Sequence, residues 1–269
     1  MNWRSIFAIV RRDLTLVARA KAVMVPLVIV PVVLFVGLPL LVSFALDAAG
    51  SDLDDLLPLI DALPESVRIS LGDGPLLQRA QLYLLEHQFA TFFLIVPLMV
   101  CAVIAADSFA GEKERKTLEA LLYTPTTDRE LYLAKLLGPW LASIAVTFAS
   151  YGVYLVVCNL ALAGSVGRVV AVTPLWATVV LWLSPGVAAL GLSVLVVVSA
   201  RVRGFQEAYQ VGGVLVLPVV ALVAAQFAGF LFVDSALAVF LGLLTWAIAL
   251  GVMAVGFGIF RRERLLEQV

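Results

Sequence analysis

The chain has 269 residues, of which 62% are apolar and 14% charged. Soluble domains run at about 45–50% apolar and about 25% charged, so this composition leaves too little polar surface for a water-soluble globule and describes an integral membrane protein. A net charge of −1 excludes the basic footprint of a nucleic-acid binder, and two cysteines, Cys101 and Cys158, both within apolar runs, exclude a disulfide framework or a cysteine zinc cluster.

Residues 3–17 come first. Trp3, Ile6, Phe7, Val10, Leu14 and Val17 recur at spacings of three, four or seven, with Arg4, Arg11 and Arg12 mostly off that stripe. A basic amphipathic helix with aromatics on its apolar side lies in the headgroup plane. A cytoplasmic extension of the next helix is the plainer alternative. Arg11-Arg12 matches part of a twin-arginine export signal but reads better as a basic anchor.

Residues 22–46 are the first of six charge-free stretches, the others being 89–106, 139–163, 175–200, 211–232 and 236–260. Each is long enough for a helix to cross a bilayer, which takes about 17–25 apolar residues. Barrel strands would alternate in polarity over about ten residues, whereas Val23–Phe44 is apolar on every face. The first stretch exceeds a signal peptide's apolar core and is expected to remain as a span rather than be cleaved.

The loop expected at 47–88 carries Asp47, Asp52, Asp54, Asp55, Asp61, Glu65, Asp73 and Glu86 among leucines and prolines. Short helices capping the spans suit it better than an independent domain. Its acids lack the alternate spacing, central glycine and terminal Glu of a calcium loop, so a solvated acidic face is expected. His87 is the single histidine, too few for a metal motif; an ordinary interfacial role is expected, and no metal site.

Lysines and arginines set the orientation. Fifteen fall in the blocks that share a side with the termini and three in the others. The positive-inside rule then places both termini and the 107–138 block in the cytoplasm of a multi-pass cell-membrane protein.

Block 107–138 interleaves acids and bases, unlike a polybasic lipid patch. Leu118, Leu121 and Leu122 form a narrow apolar stripe on a short charged helix, which Pro125 ends. Thr127-Asp128-Arg129-Glu130 matches a capping box that restarts helix. Such a peg suits docking in a partner's groove; a solvated connecting loop is the alternative on composition alone.

The stretch Glu112-Lys113-Glu114-Arg115-Lys116-Thr117-Leu118-Glu119-Ala120-Leu121-Leu122-Tyr123-Thr124-Pro125, with Arg129-Glu-Leu-Tyr-Leu-Ala-Lys-Leu-Leu after it, resembles the signature of type-2 ABC transporter permeases. Lys116 stands where many relatives have Gly. The resemblance implies a fold: an all-α integral membrane protein of six transmembrane helices, an N-terminal interfacial helix and a cytoplasmic coupling helix between spans 2 and 3. It implies that residues 1–269 form one permease domain, with Glu112, Lys113, Glu114, Arg115, Thr117, Leu118, Glu119, Leu121, Leu122, Thr124 and Pro125 contacting an ABC ATP-binding subunit. Two copies of that subunit, a second permease copy or similar subunit, and ATP with Mg on the partner are implied in turn. This chain itself has no G-x-x-x-x-G-K-[ST] run to cradle phosphates, so no cofactor of its own and no catalytic residue is expected.

The charge-free spans weaken an ion-coupled carrier, which keeps ionisable groups at membrane depth, and offer no catalytic constellation for an intramembrane enzyme. Pro26, Pro31, Pro39, Pro97, Pro185 and Pro218 punctuate the spans and invite kinks. By resemblance, spans 2 and 5 line the path, with Phe92, Phe93, Met99, Gln226 and Phe227 as candidates; packing or lipid contact is the plainer reading of the aromatics. Relatives also have a short helical re-entry before the last span, which Ala225–Ser235 would supply. The leading function is therefore the permease subunit of an ATP-driven exporter. An ATPase-independent carrier or channel, or a non-transporting scaffold, is the alternative.

Overall fold

The computed structural model describes residues 2–49, 57–111, 114, 127–163, 166, 169–199, 202 and 204–259. Among these no strand occurs. Helix α1 spans Trp3–Arg19, and the Asn2 side chain accepts from the Arg4 amide at its start. It ends where Ala20 turns extended, at φ −81° and ψ 97°, so α1 is a separate helix rather than an extension of the first span. Its buried face is Ile6, Ile9, Val10, Asp13 and Val17, packed on α6 below. Trp3 and Phe7, expected on one stripe with Ile6 and Val10, are instead more than half exposed. The apolar surface thus serves two neighbours, the helix bundle and whatever surrounds it.

Among the described residues, six helices are long and apolar enough to cross a membrane: α2 (Val23–Ala48), α5 (Leu76–Ala106), α6 (Asp128–Ala161), α7 (Pro174–Ser199), α8 (Phe205–Phe227) and α9 (Ser235–Gly258). Short helices α3 (Leu57–Asp61) and α4 (Glu65–Leu71) lie between α2 and α5. Windows in α5 and α7 are 83% and 72% buried, against 17–28% in the other four, which decides the architecture. α5 and α7 are the centre; α2, α6 and α8 pack around α5, and α6, α8 and α9 around α7.

Helix α5 begins at Leu76 rather than at 89, and α6 at Asp128 rather than at 139. Buried charges therefore lie on the same helices, Glu86 and Lys135 among them, outside the charge-free stretches 89–106 and 139–163. Hydropathy finds only the apolar stretch, whereas a helix continues until its backbone hydrogen bonds are ended by a cap or turn. Residues 228–234 form a turn and irregular chain between α8 and α9, not the expected helical re-entry; Gly229, with φ +75°, supplies the left-handed turn.

Irregular backbone precedes some prolines and not others. Pro39, Pro97 and Pro185 each follow a defect one turn earlier: a π-turn at Val33–Gly37, a break at residues 93–94, and a π-turn at Val179–Leu183. The missing amide of each proline leaves that turn short of a donor. Pro26, Pro31, Pro139 and Pro218 sit in unbroken α-helix. At α7, Trp140 and Trp246 donate indole hydrogens to the carbonyls of Pro185 (3.0 Å) and Trp182 (3.3 Å), satisfying groups that lipid cannot.

At the end where α6 meets α7, rings replace charges. Trp176 stacks on Tyr154 and Tyr151, with centroids 4.8 Å and 5.3 Å away, and Phe93 meets its edge at 5.5 Å. Tyr154 donates to the Leu85 carbonyl at 2.6 Å, and Glu86 accepts from the Ala171 amide at 3.2 Å. Asn159 brackets the same connection, accepting from the Val170 amide and donating to the Val170 carbonyl.

Candidate functional site

Of the expected coupling residues only Glu114 is among the described ones. Glu112, Lys113, Arg115, Thr117, Leu118, Glu119, Leu121, Leu122, Thr124 and Pro125 lie outside the described residues. Their frame is nevertheless visible. On one side α5 runs into a π-turn at Asp107–Gly111. On the other, Thr127 and Glu130 form the anticipated capping box at the start of α6. The Thr127 amide donates to Glu130 Oε2 at 3.1 Å, and the Glu130 amide to Thr127 Oγ1 at 3.3 Å. Glu130 also accepts from the Asn2 amide, tying the start of α1 to the same point.

Glu114 reaches away from this frame. Its Oε2 accepts the Phe205 amide at 2.9 Å, where α8 begins and Gly204 has no side chain to act as cap. A carboxylate there satisfies one of the orphan donors of the helix start and meets the positive end of its dipole. A Cβ on Gly204 would sit 2.8 Å from that oxygen, so the approach depends on glycine.

A buried ion pair lies beside the frame. Lys135 Nζ stands 2.9 Å from Asp13 Oδ2, their side chains 1% and 2% exposed. The same ammonium donates to the Ser108 carbonyl at 3.0 Å. Arg12 approaches Asp13 Oδ1 at 3.7 Å from the exposed side. Sequence reasoning missed this pair, although the signal was present. Asp13 falls on the register of Ile6, Val10 and Val17, an acid on an apolar stripe, and Lys135 sits between Ala134 and Leu136.

The path candidates divide. Phe92 and Phe227 meet edge to face at 6.0 Å and 74°. Beside them Gln226, 2% exposed, accepts from Thr91 and donates to the His87 carbonyl at 3.3 Å. His87 is thus part of the α5–α8 contact, its ring stacked on Tyr83. Met99 is partly exposed, on the α5 face that carries Phe92 and Ile95 at i, i+3 and i+7. Phe93 turns the other way, fully buried against Phe35, Tyr151 and Trp176.

Six apolar helices among the described residues, four of them packed around a buried pair, define a multi-pass membrane protein. A sequence profile for ABC-2 family transporter proteins matches residues 7–240, from α1 into α9. The chain belongs to that family and is a membrane transport permease. Permeases of this family generally work with ABC ATP-binding subunits. No curated protein matches the chain.

Proposed function

We propose that this chain is the membrane subunit of an ATP-driven exporter, forming the translocation path and driven through residues 112–125 by a separate ATP-binding polypeptide. Residues 1–269 act as one permease domain, paired with a second copy or a similar subunit and with two ATP-binding subunits that hold ATP and Mg. Both termini and the 112–125 segment face the cytoplasm of a cell membrane, as the fifteen-to-three partition of basic residues favours.

One observation carries the reading. The described residue of the coupling segment, Glu114, is bonded to the first turn of α8, and α8 also carries Gln226 and Phe227, which meet α5 at the opposite end. A push on the segment therefore has a rigid helix to travel along. The path itself runs along the α5–α8 contact of Phe92, Gln226 and Phe227, with Met99 on the same face of α5 as Phe92. Phe93 supports it from behind.

Leu118 and Leu122 are the anchors in the ATPase groove. Co-purification with a co-expressed ABC ATP-binding subunit is expected to be lost in Leu118→Asp and Leu122→Asp while membrane insertion persists. Retention of the subunit by both variants would remove this segment as the docking site.

A further inference from the structure

Three elements converge on Lys135. It lies on α6, its ion-pair partner Asp13 on α1, and its carbonyl acceptor Ser108 in the π-turn that follows α5. In chain order Ser108 and Lys135 flank the 112–126 segment, one on each side. Stability gives little reason for the pair, because a buried ion pair is often no more stable than apolar residues of similar volume. What it supplies is geometry. The contacts of Ile6, Ile9 and Val10 permit small slides of α1 along α6, as packed helices can shear. An ammonium bonded to two elements in a dry site does not permit them, since a slide leaves charge unpaired.

We propose that Lys135 is a positioning residue that clamps α1 to both roots of the coupling segment, so that α1 moves with them during the transport cycle and is more than a surface anchor. This rests on reading 112–125 as the segment that meets the ATPase. The ammonium holds α5 through Ser108 and α1 through Asp13, so displacement of the segment's roots is delivered to all three helices together. Glu130 adds a second tie, from α6 to the Asn2 amide at the start of α1.

The test uses the full chain in lipid nanodiscs, spin-labelled through Arg11→Cys on α1 and Leu141→Cys on α6, both exposed. Native Cys101 and Cys158 are buried and shielded from the label. The otherwise unmodified chain is expected to give one narrow label distance, the same with the ATP-binding subunit trapped by ATP and vanadate. Lys135→Met and Asp13→Asn are expected to broaden that distance. They are also expected to lower permease-stimulated ATP hydrolysis by about three- to thirtyfold, the range that mutations at coupling positions produce. The reversed pair, Asp13→Lys with Lys135→Asp, is expected to restore the α1–α6 distance but not hydrolysis, because a carboxylate at 135 cannot donate to the Ser108 carbonyl. Should Lys135→Met fail to fold, Asp13→Asn with Lys135→Met leaves no unpaired charge and is read the same way. An unchanged distance with unchanged hydrolysis in these variants overturns the clamp. The distance measurement needs no ATPase, so failure of the ATP-binding subunit to associate with the unmodified chain would defeat the coupling reading alone.

Discussion

The two ends of this permease are held together by different physics. Where α1, the end of α5 and the starts of α6 and α8 meet, the ties are directional: a capping box, a carboxylate on a helix start and one ammonium shared between two elements. Around Trp176, stacked and edge-on ring contacts carry most of the packing, joining α2, α5, α6 and α7 through Phe35, Phe93 and Tyr154, with the hydrogen bonds of Tyr154, Glu86 and Asn159 beside them. Inside a bilayer, apolar surface gains little by leaving lipid, so helix association relies on close packing and hydrogen bonds. Stacked rings provide the first over a wide area. Single polar bonds provide the second at points, where a small movement makes or breaks them. Under the proposed function, the ring-packed end would serve as the fixed body and the polar end as the place where force enters.

The largest expected effect tests the fixed body. Trp176 is fully buried and touches Phe93, Tyr151 and Tyr154. Trp176→Ala leaves a cavity that the surrounding rings cannot fill, and is expected to cost about 3–5 kcal/mol. Thermal unfolding in detergent, followed by fluorescence, reads this as a clear drop in midpoint. Association with the ATP-binding subunit, measured below that midpoint, stays as in the unmodified chain. Loss of association with no loss of stability would reverse the roles assigned to the two ends.

A smaller effect tests the entry point. Glu114→Ala removes the acceptor for the Phe205 amide, and loss of a helix cap costs about 1 kcal/mol. Stability should hardly move, because Glu114 is exposed and water can replace it. Permease-stimulated ATP hydrolysis, in contrast, is expected to fall several-fold, since about 1.4 kcal/mol of coupling corresponds to a factor of ten. A variant with normal stimulation would show that α8 is reached by another route.

Much of this division was legible in the sequence, and the residues show where legibility stopped. Six apolar runs announce the spans because lipid demands about 20 apolar residues per helix. The capping box at Thr127–Glu130 is equally local, three residues apart, and is present in the structure. The Asp13–Lys135 pair joins residues more than a hundred positions apart, and nothing in either neighbourhood names the other. What the sequence did display was an acid on an apolar helical face, which demands a buried partner without identifying it. Phe92 and Phe93 illustrate the same limit. Adjacent residues on a helix differ by about 100° in direction, so the path candidates could be grouped by span but not by face until the neighbours were placed.

Gln226 offers the finest probe, because it is a polar tie at the end of α8 remote from Glu114. It is a buried amide between the two helices assigned to the path, accepting from Thr91 and donating to a backbone carbonyl at His87. Interhelical hydrogen bonds of this sort average only about 0.6 kcal/mol in a membrane protein, so Gln226→Leu is expected to leave folding nearly intact. Its effect should lie in the contact itself. In a background where cysteines replace Phe92 and Phe227 the ring contact is gone, so the Gln226 bonds are left to restrain rotation of α8 against α5 at that level. Cysteine cross-linking between α5 and α8, at Phe92→Cys and Phe227→Cys, reads the consequence. In the unmodified background the cross-link should form in one nucleotide state of the complex and not in the other. With Gln226→Leu it should form in both. Equal cross-linking with and without nucleotide in the unmodified background would mean that this contact does not move, and the path would have to be sought on another face of α5.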